Sequence, residues 1–256
     1  MDKTPQLPGK FIWFEHASND TAKARAFYEP LFGWHVESMP MAGQTYSMLM
    51  NGDRGIGGLT AAQPDVPNHW MSYISVIDVD DRFRAATAAG AKPLLPPTDF
   101  PPVGRGAGFT DPTGAAVCIW KSVNGDRPDD ATTPVGDFTW NELWTPDQKT
   151  ALAFYERVFA YTHDVMSMGE QGDYLVIKSP DGRTRGGIFG STTPGTPPMW
   201  LPYVRVADCD ATLAKAQSLG AQQVIMPPTD IPNVGRFALV LDPLRAAIAF
   251  ITPVQA

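Results

Sequence analysis

Two tryptophan–glutamate pairs are the residues of this chain best suited to chemistry: Trp13 with Glu15, and Trp140 with Glu142, the latter followed by Trp144. Their two-residue spacing puts each pair on one face of an extended strand, because successive strand side chains alternate. A carboxylate set among indole rings is poorly solvated, which disfavours its ionised form. Glu15 and Glu142 are therefore candidate general bases, or anchors for donor groups of a ligand. The same glutamates would serve equally to pair a buried arginine or cap a loop, since structural ion pairs perturb carboxylates as readily as catalysis does. Other aromatic residues recur in pairs: Tyr46 and Tyr174, Trp70 and Trp200, Tyr73 and Tyr203. Such rings either stack on a flat ligand or fill a core. Arg105 and Arg236 follow proline-rich loops, where a guanidinium would reach a ligand carboxylate or brace the loop itself. Gly57-Gly58 and Gly186-Gly187 lack the spacing and following helix of a phosphate loop; a bulge or a close strand crossing accounts for them.

The elements that must position these residues occur twice. Gly9, Phe11, Trp13, Glu15, Asp20, Phe27, Tyr28, Glu29 and Phe32 match Gly136, Phe138, Trp140, Glu142, Asp147, Phe154, Tyr155, Glu156 and Phe159 in order and spacing. The match continues through small insertions to Val103-Gly104-Arg105 with Val234-Gly235-Arg236, and Asp111-Pro112 with Asp242-Pro243. An internal repeat of this kind means two copies of one structural unit. Within a copy, alternation predicts a strand over Lys10–Ala17. Asp20 is the N-cap of a helix whose apolar stripe is Ala24, Phe27, Tyr28 and Leu31. Strands over Trp34–Ser38, Thr45–Met50 and Gly55–Thr60 follow. The second half repeats the order: a strand over Trp70–Val76, a helix over about Asp80–Ala89 closed by Gly90, and strands around Lys92–Leu95, Gly106–Thr110 and Ala115–Trp120. Each copy reads βαβββ twice, an α+β fold. The domain reading is a tail over 1–8, a first domain over 9–120, a polar linker over 121–135 and a second domain over 136–251.

Composition narrows the function classes. The 256 residues carry a net charge of -7 with no basic run, so nothing attracts phosphate backbones or anionic lipid. Nucleic-acid and membrane partners are disfavoured. The first residues lack a secretory signal pattern, and no apolar run reaches the roughly 18 residues of a membrane span, so a cytoplasmic protein is expected. Cys118 and Cys209 fall at non-corresponding places and read as small apolar fillers, not a disulfide or thiolate cluster.

Paired βαβββ units, with Phe27-Tyr28-Glu29-Pro30-Leu31-Phe32-Gly33-Trp34 closing the first helix and Asp111-Pro112-Thr113-Gly114 before a last strand, resemble the vicinal oxygen chelate superfamily. That superfamily includes glyoxalase I, bleomycin-resistance proteins and extradiol dioxygenases. The resemblance covers nearly the whole chain. It implies tandem glyoxalase-like domains, each a cup-shaped mixed sheet with the ligand site on its concave side. Metal-dependent members carry His or Gln on the first strand of each unit and Glu on the last. The corresponding positions here are Trp13, Met71 and Cys118, and Trp140, Leu201 and Ala249; the Glu is missing twice, and Trp, Met, Leu and Ala do not make a tetrahedral or octahedral site. The four histidines, His16, His35, His69 and His163, form no repeated set. No metal and no cofactor are expected. The sequence thus points to a metal-independent protein, monomer or homodimer, binding a small aromatic or flat molecule at Glu15 or Glu142 with the aromatic and arginine residues named above. The alternative is a lyase, isomerase or dioxygenase using either glutamate as general base, or an unrecognised metal site.

Overall fold

Residues 4–41, 44–169, 172–190 and 195–254 are described by a computed structural model. The first copy runs β1 (Phe11–Ser18), α1 (Thr21–Phe32), β2 (His35–Met41), β3 (Gln44–Asn51), β4 (Arg54–Ala61), β5 (His69–Ser75), α2 (Val79–Ala88), β6 (Lys92–Phe100), β7 (Gly104–Thr110) and β8 (Ala116–Ser122). The second repeats it: β9 (Phe138–Thr145), α3 (Gln148–Phe159), β10 (Thr162–Ser167), β11 (Asp173–Lys178), β12 (Thr184–Gly190), β13 (Met199–Arg205), α4 (Cys209–Ser218), β14 (Gln223–Ile231), β15 (Gly235–Leu241) and β16 (Ala247–Pro253). Each copy contributes one eight-stranded mixed sheet, ordered β2-β3-β4-β1-β5-β8-β7-β6 and β10-β11-β12-β9-β13-β16-β15-β14. The α+β class and the tandem repeat of the fold are as the sequence implies.

Local signals were largely sufficient for these elements. Asp20 and Asp147 cap α1 and α3 by accepting the backbone N–H of Lys23 and Thr150, and Gly33 closes α1 in the left-handed region at φ 75°. Two expectations need correction. The second-half helix starts at Val79 with Asp78 as its cap, not at Asp80. The strand expected over Lys92–Leu95 continues through Pro96-Pro97 to Phe100. It can do so because β6 is an edge strand with shifts of register on either side of Leu95, where a missing N–H costs no ladder bond.

By contacts the chain forms two compact units. The first comprises residues 1–12, 71–129 and 141–200; the second comprises 13–70, 130–140 and 201–256. In the first, α2 lies against α3; in the second, α1 lies against α4. Each unit is centred on a polar relay inside an aromatic core. In the second unit Trp70 Nε1 donates to Tyr28 Oη at 2.9 Å, and Tyr28 Oη donates to Asp242 Oδ2 at 2.9 Å. In the first unit Trp200 Nε1 donates to Tyr155 Oη at 2.7 Å, and Tyr155 donates to Asp111 Oδ2 at 3.1 Å. The other carboxylate oxygen closes the turn that follows, accepting from Leu244 and Ala246 N–H, or from Thr113, Gly114 and Ala115 N–H. The Asp-Pro motif is thus a turn cap and a helix anchor at once.

The polar stretch between the copies is tied down. In the first unit Asp126 accepts from Ser75 Oγ and Leu7 N–H, and Asp129 pairs with Lys10 and Arg185. In the second unit Asp130 and Asp137 both pair with Arg54. Lys121 and Ser122 belong to β8.

Candidate functional site

Strand β1 has two faces of different character. Phe14, His16 and Ser18 are buried against the helix side, while Trp13, Glu15 and Ala17 are partly exposed on the other. Strand β9 repeats this, with Asn141, Leu143 and Thr145 buried and Trp140, Glu142 and Trp144 on the opposite face. The tryptophans and glutamates therefore share a face in both copies, away from the core.

In the second unit this face carries a hydrogen-bonded chain. Trp13 Nε1 donates to Tyr46 Oη at 2.9 Å, Tyr46 donates to Glu15 Oε2 at 2.8 Å, and Thr60 Oγ1 donates to Glu15 Oε1 at 3.3 Å. Burial, then the charge of Glu15, holds the Tyr46 phenol well above its ordinary range, so it stays a donor. The paired glycines of β4 make this possible. A Cβ at Gly58 would fall 1.9 Å from Tyr46 Oη, and one at Gly57 would fall 2.1 Å from the Phe14 carbonyl oxygen. One glycine admits the tyrosine and the other admits the neighbouring strand. In the first unit Gly187 and Gly186 repeat this towards Tyr174 Oη and the Asn141 carbonyl, at 2.0 and 2.4 Å. There Glu142 Oε1 accepts from Trp144 Nε1 at 2.6 Å.

Other sequence candidates lie elsewhere. Trp70 and Trp200 are buried in the two aromatic cores, their N–H groups engaged by Tyr28 and Tyr155, so neither presents a ring to a ligand. Arg105 is on the helix side of β7 and forks onto Asp80, with Asp99 as a further partner; Arg236 does the same with Asp210 and Asp230. These guanidiniums brace each second-half helix to its sheet. Tyr73 meets Trp120 edge-on at 6.2 Å in the first unit, and Tyr203 is buried against Phe237 at 6.0 Å in the second. Of the histidines, His16 is fully buried with Nε2 on Asp242 Oδ2 at 2.9 Å, while His35 and His163 pair with Glu37 and Glu156.

Sequence reasoning passed over Thr60, which is a second donor to Glu15, and the contrast between Ala17 with Thr60 and Trp144 with Phe189. Carrying the repeat alignment past the glycine pairs would have exposed both.

The donor set does not suit a divalent ion. The positions corresponding to ligand strands hold Trp13, Met71 and Cys118, and Trp140, Leu201 and Ala249, and the Trp13 N–H is already committed to Tyr46. Among the described residues no three His, Cys, Asp or Glu side chains converge. A single thiol among indole, thioether and aliphatic groups does not supply the three or four converging donors such a site needs.

Comparison with known proteins agrees with the fold. The family model for the Glyoxalase/Bleomycin resistance protein/Dioxygenase superfamily matches residues 10–119. The chain is 37% identical over 249 residues to "Putative glyoxylase CFP32" of Mycobacterium tuberculosis, covering 94% of each chain. It is 31% identical over 265 residues to the anthracycline biosynthesis protein DauV of Streptomyces sp. (strain C5), covering 95% of this chain and 93% of that one. Among solved structures it resembles the Mn(II)-bound glyoxalase from Novosphingobium aromaticivorans, with TM-score 0.66 at 15% identity over 98% of this chain and 83% of that one. It also resembles 2,2',3-trihydroxybiphenyl 1,2-dioxygenase from Sphingomonas wittichii strain RW1, with TM-score 0.65 at 14% identity over 97% and 91%. At such identities the structural likeness speaks for the fold alone. With full-length relatives above 30% identity and a matching family model, this chain belongs to the Glyoxalase/Bleomycin resistance protein/Dioxygenase superfamily.

Proposed function

We propose that the protein binds a flat aromatic small molecule in the manner of the family's resistance proteins, without a metal ion, on the face that carries Trp13, Glu15 and Tyr46. The observation that carries this reading is the chain from Trp13 Nε1 through Tyr46 Oη to Glu15. It preorganises a carboxylate and a phenol beside an indole ring on a partly exposed strand face, the mix of ring surface and few polar groups that small-molecule sites use. The name of DauV ties a full-length relative to anthracycline biosynthesis, and anthracyclines are planar polycyclic aromatics bearing hydroxyl groups. The donor set at the ligand positions supports the metal-free reading.

The test is titration calorimetry of the purified protein with an anthracycline and with smaller hydroxylated aromatics, beside metal analysis of the same preparation. Binding with no stoichiometric metal is expected. Glu15→Gln keeps the shape and removes the charge, so losing a charge-assisted hydrogen bond worth about 1.5–3 kcal/mol should weaken binding roughly tenfold to a hundredfold. A variant that melts several degrees lower yet binds normally would make Glu15 a structural residue. One ion per domain would overturn the metal-free reading.

A further inference from the structure

The two copies place different side chains beside the same carboxylate. Next to Glu15 on its own face, the cross-strand pair is Ala17 with Thr60; next to Glu142, at the same register, it is Trp144 with Phe189. In the first unit the Trp144 and Phe189 rings lie tilted with centroids 5.8 Å apart, and Trp144 Nε1 reaches back to Glu142 Oε1. Rings of this size each cover about 150–250 Å² of apolar surface when packed. They occupy the ground beside Glu142 and take up an oxygen of its carboxylate. At the same register in the second unit stand the much smaller Ala17 and Thr60, whose hydroxyl itself donates to Glu15.

We infer that the working ligand site is the one beside Glu15 alone, and that Trp144 closes its counterpart beside Glu142. The size of residue 17 and of residue 144 then decides which copy binds. This rests on the reading that an aromatic ligand is anchored at Glu15. The chemistry admitted is a flat ring system whose edge carries hydroxyl or amino donors, because the site offers a carboxylate and hydroxyl groups at its base and two small side chains where its twin has two rings.

The test is calorimetric titration of the full-length protein with an anthracycline, comparing wild type, Ala17→Trp, Trp144→Ala and Trp144→Phe, with thermal melts to confirm folding. Wild type should bind one molecule per chain. Ala17→Trp should lower affinity at least tenfold, Trp144→Ala should raise the stoichiometry to two, and Trp144→Phe, which keeps a ring in place, should leave it at one. If Ala17→Trp fails to fold, Thr60→Phe fills the same ground from the other strand and should weaken binding likewise. Two sites in wild type, full affinity in folded Ala17→Trp, or one site in folded Trp144→Ala would overturn the inference while leaving the proposed function standing. Failure of wild type and Trp144→Ala alike to bind would overturn the proposed function, and the inference with it.

Discussion

His16 and Leu143 hold the same place in two aromatic cores, and the surroundings are otherwise closely matched. Both units bury a Trp–Tyr–Asp relay, Trp70–Tyr28–Asp242 in one and Trp200–Tyr155–Asp111 in the other. Only the second unit adds a histidine, whose Nε2 shares Asp242 Oδ2 with Tyr28. Its Nδ1 is buried and finds no hydrogen-bond partner among the described residues. The first unit puts the wholly buried apolar Leu143 there and keeps the relay. The relay is therefore what the fold needs, whereas the histidine is an addition whose unpaired nitrogen carries a desolvation cost.

The sharpest way to break the equivalence of the relays is to remove their carboxylates. Asp111→Ala and Asp242→Ala each strand a tyrosine hydroxyl and several turn N–H groups, and should destabilise by about 3–5 kcal/mol, read from urea unfolding. Asp242→Ala strands His16 but one turn N–H fewer than Asp111→Ala, so the two losses should be similar; a large loss in only one variant would sink the equivalence of the relays. Tyr28→Phe and Tyr155→Phe each leave a tryptophan N–H short of a partner, and Tyr155→Phe also takes the tyrosine donor from Asp111 Oδ2 while His16 stays on Asp242 Oδ2, at about 1–3 kcal/mol each. A somewhat larger loss for Tyr155→Phe is expected, and a loss in only one unit would break the match.

Alkaline pH probes both relays together. Burial first, then the neighbouring aspartate, holds Tyr28 and Tyr155 protonated well above the ordinary value of 10.0. The unfolded chain ionises these phenols near that value and the folded chain does not. Stability should therefore be full below about pH 10 and fall above it, by about 1.4 kcal/mol per pH unit for each phenol. Denaturant titrations at rising pH that show no loss would refute the burial argument. The smallest effect is expected of His16→Leu, which imports the solution of the first unit. It removes an orphaned nitrogen along with a hydrogen bond, so stability should change by less than about 1 kcal/mol. A loss above about 3 kcal/mol would instead mark His16 as a structural ion-pair partner of Asp242.

Much of the fold was legible because its signals are local. Alternation along Trp13 to Ala17, the Asp20 cap and the apolar stripe through Tyr28 are each set by neighbours a few residues away, and their repetition in the second copy doubled the signal. The same alternation placed Trp13 with Glu15 and Trp140 with Glu142 on common faces. The candidate site was only half legible. Tyr46 and Thr60 reach Glu15 from strands brought alongside by the sheet, a pairing that periodicity does not specify. Trp70 and Trp200 read equally well as ligand platforms or core, and Arg105 and Arg236 as ligand clamps or braces, because residue type alone does not say which face of a strand the helices cover.

By itself, then, the amino-acid sequence determined the repeat, the order of elements, the α+β class and the face that carries the two glutamates, since these follow from spacing along one chain. Tertiary structure alone decided that Asp111 and Asp242 anchor the helices bearing Tyr155 and Tyr28, and that the tryptophans at 70 and 200 complete those relays. It also decided that Trp144 leans on Glu142 where the smaller Ala17 stands beside Glu15. Those outcomes depend on which distant side chains share a buried volume, and hydrogen-bond partners far apart in sequence are chosen only when the strands and helices have packed.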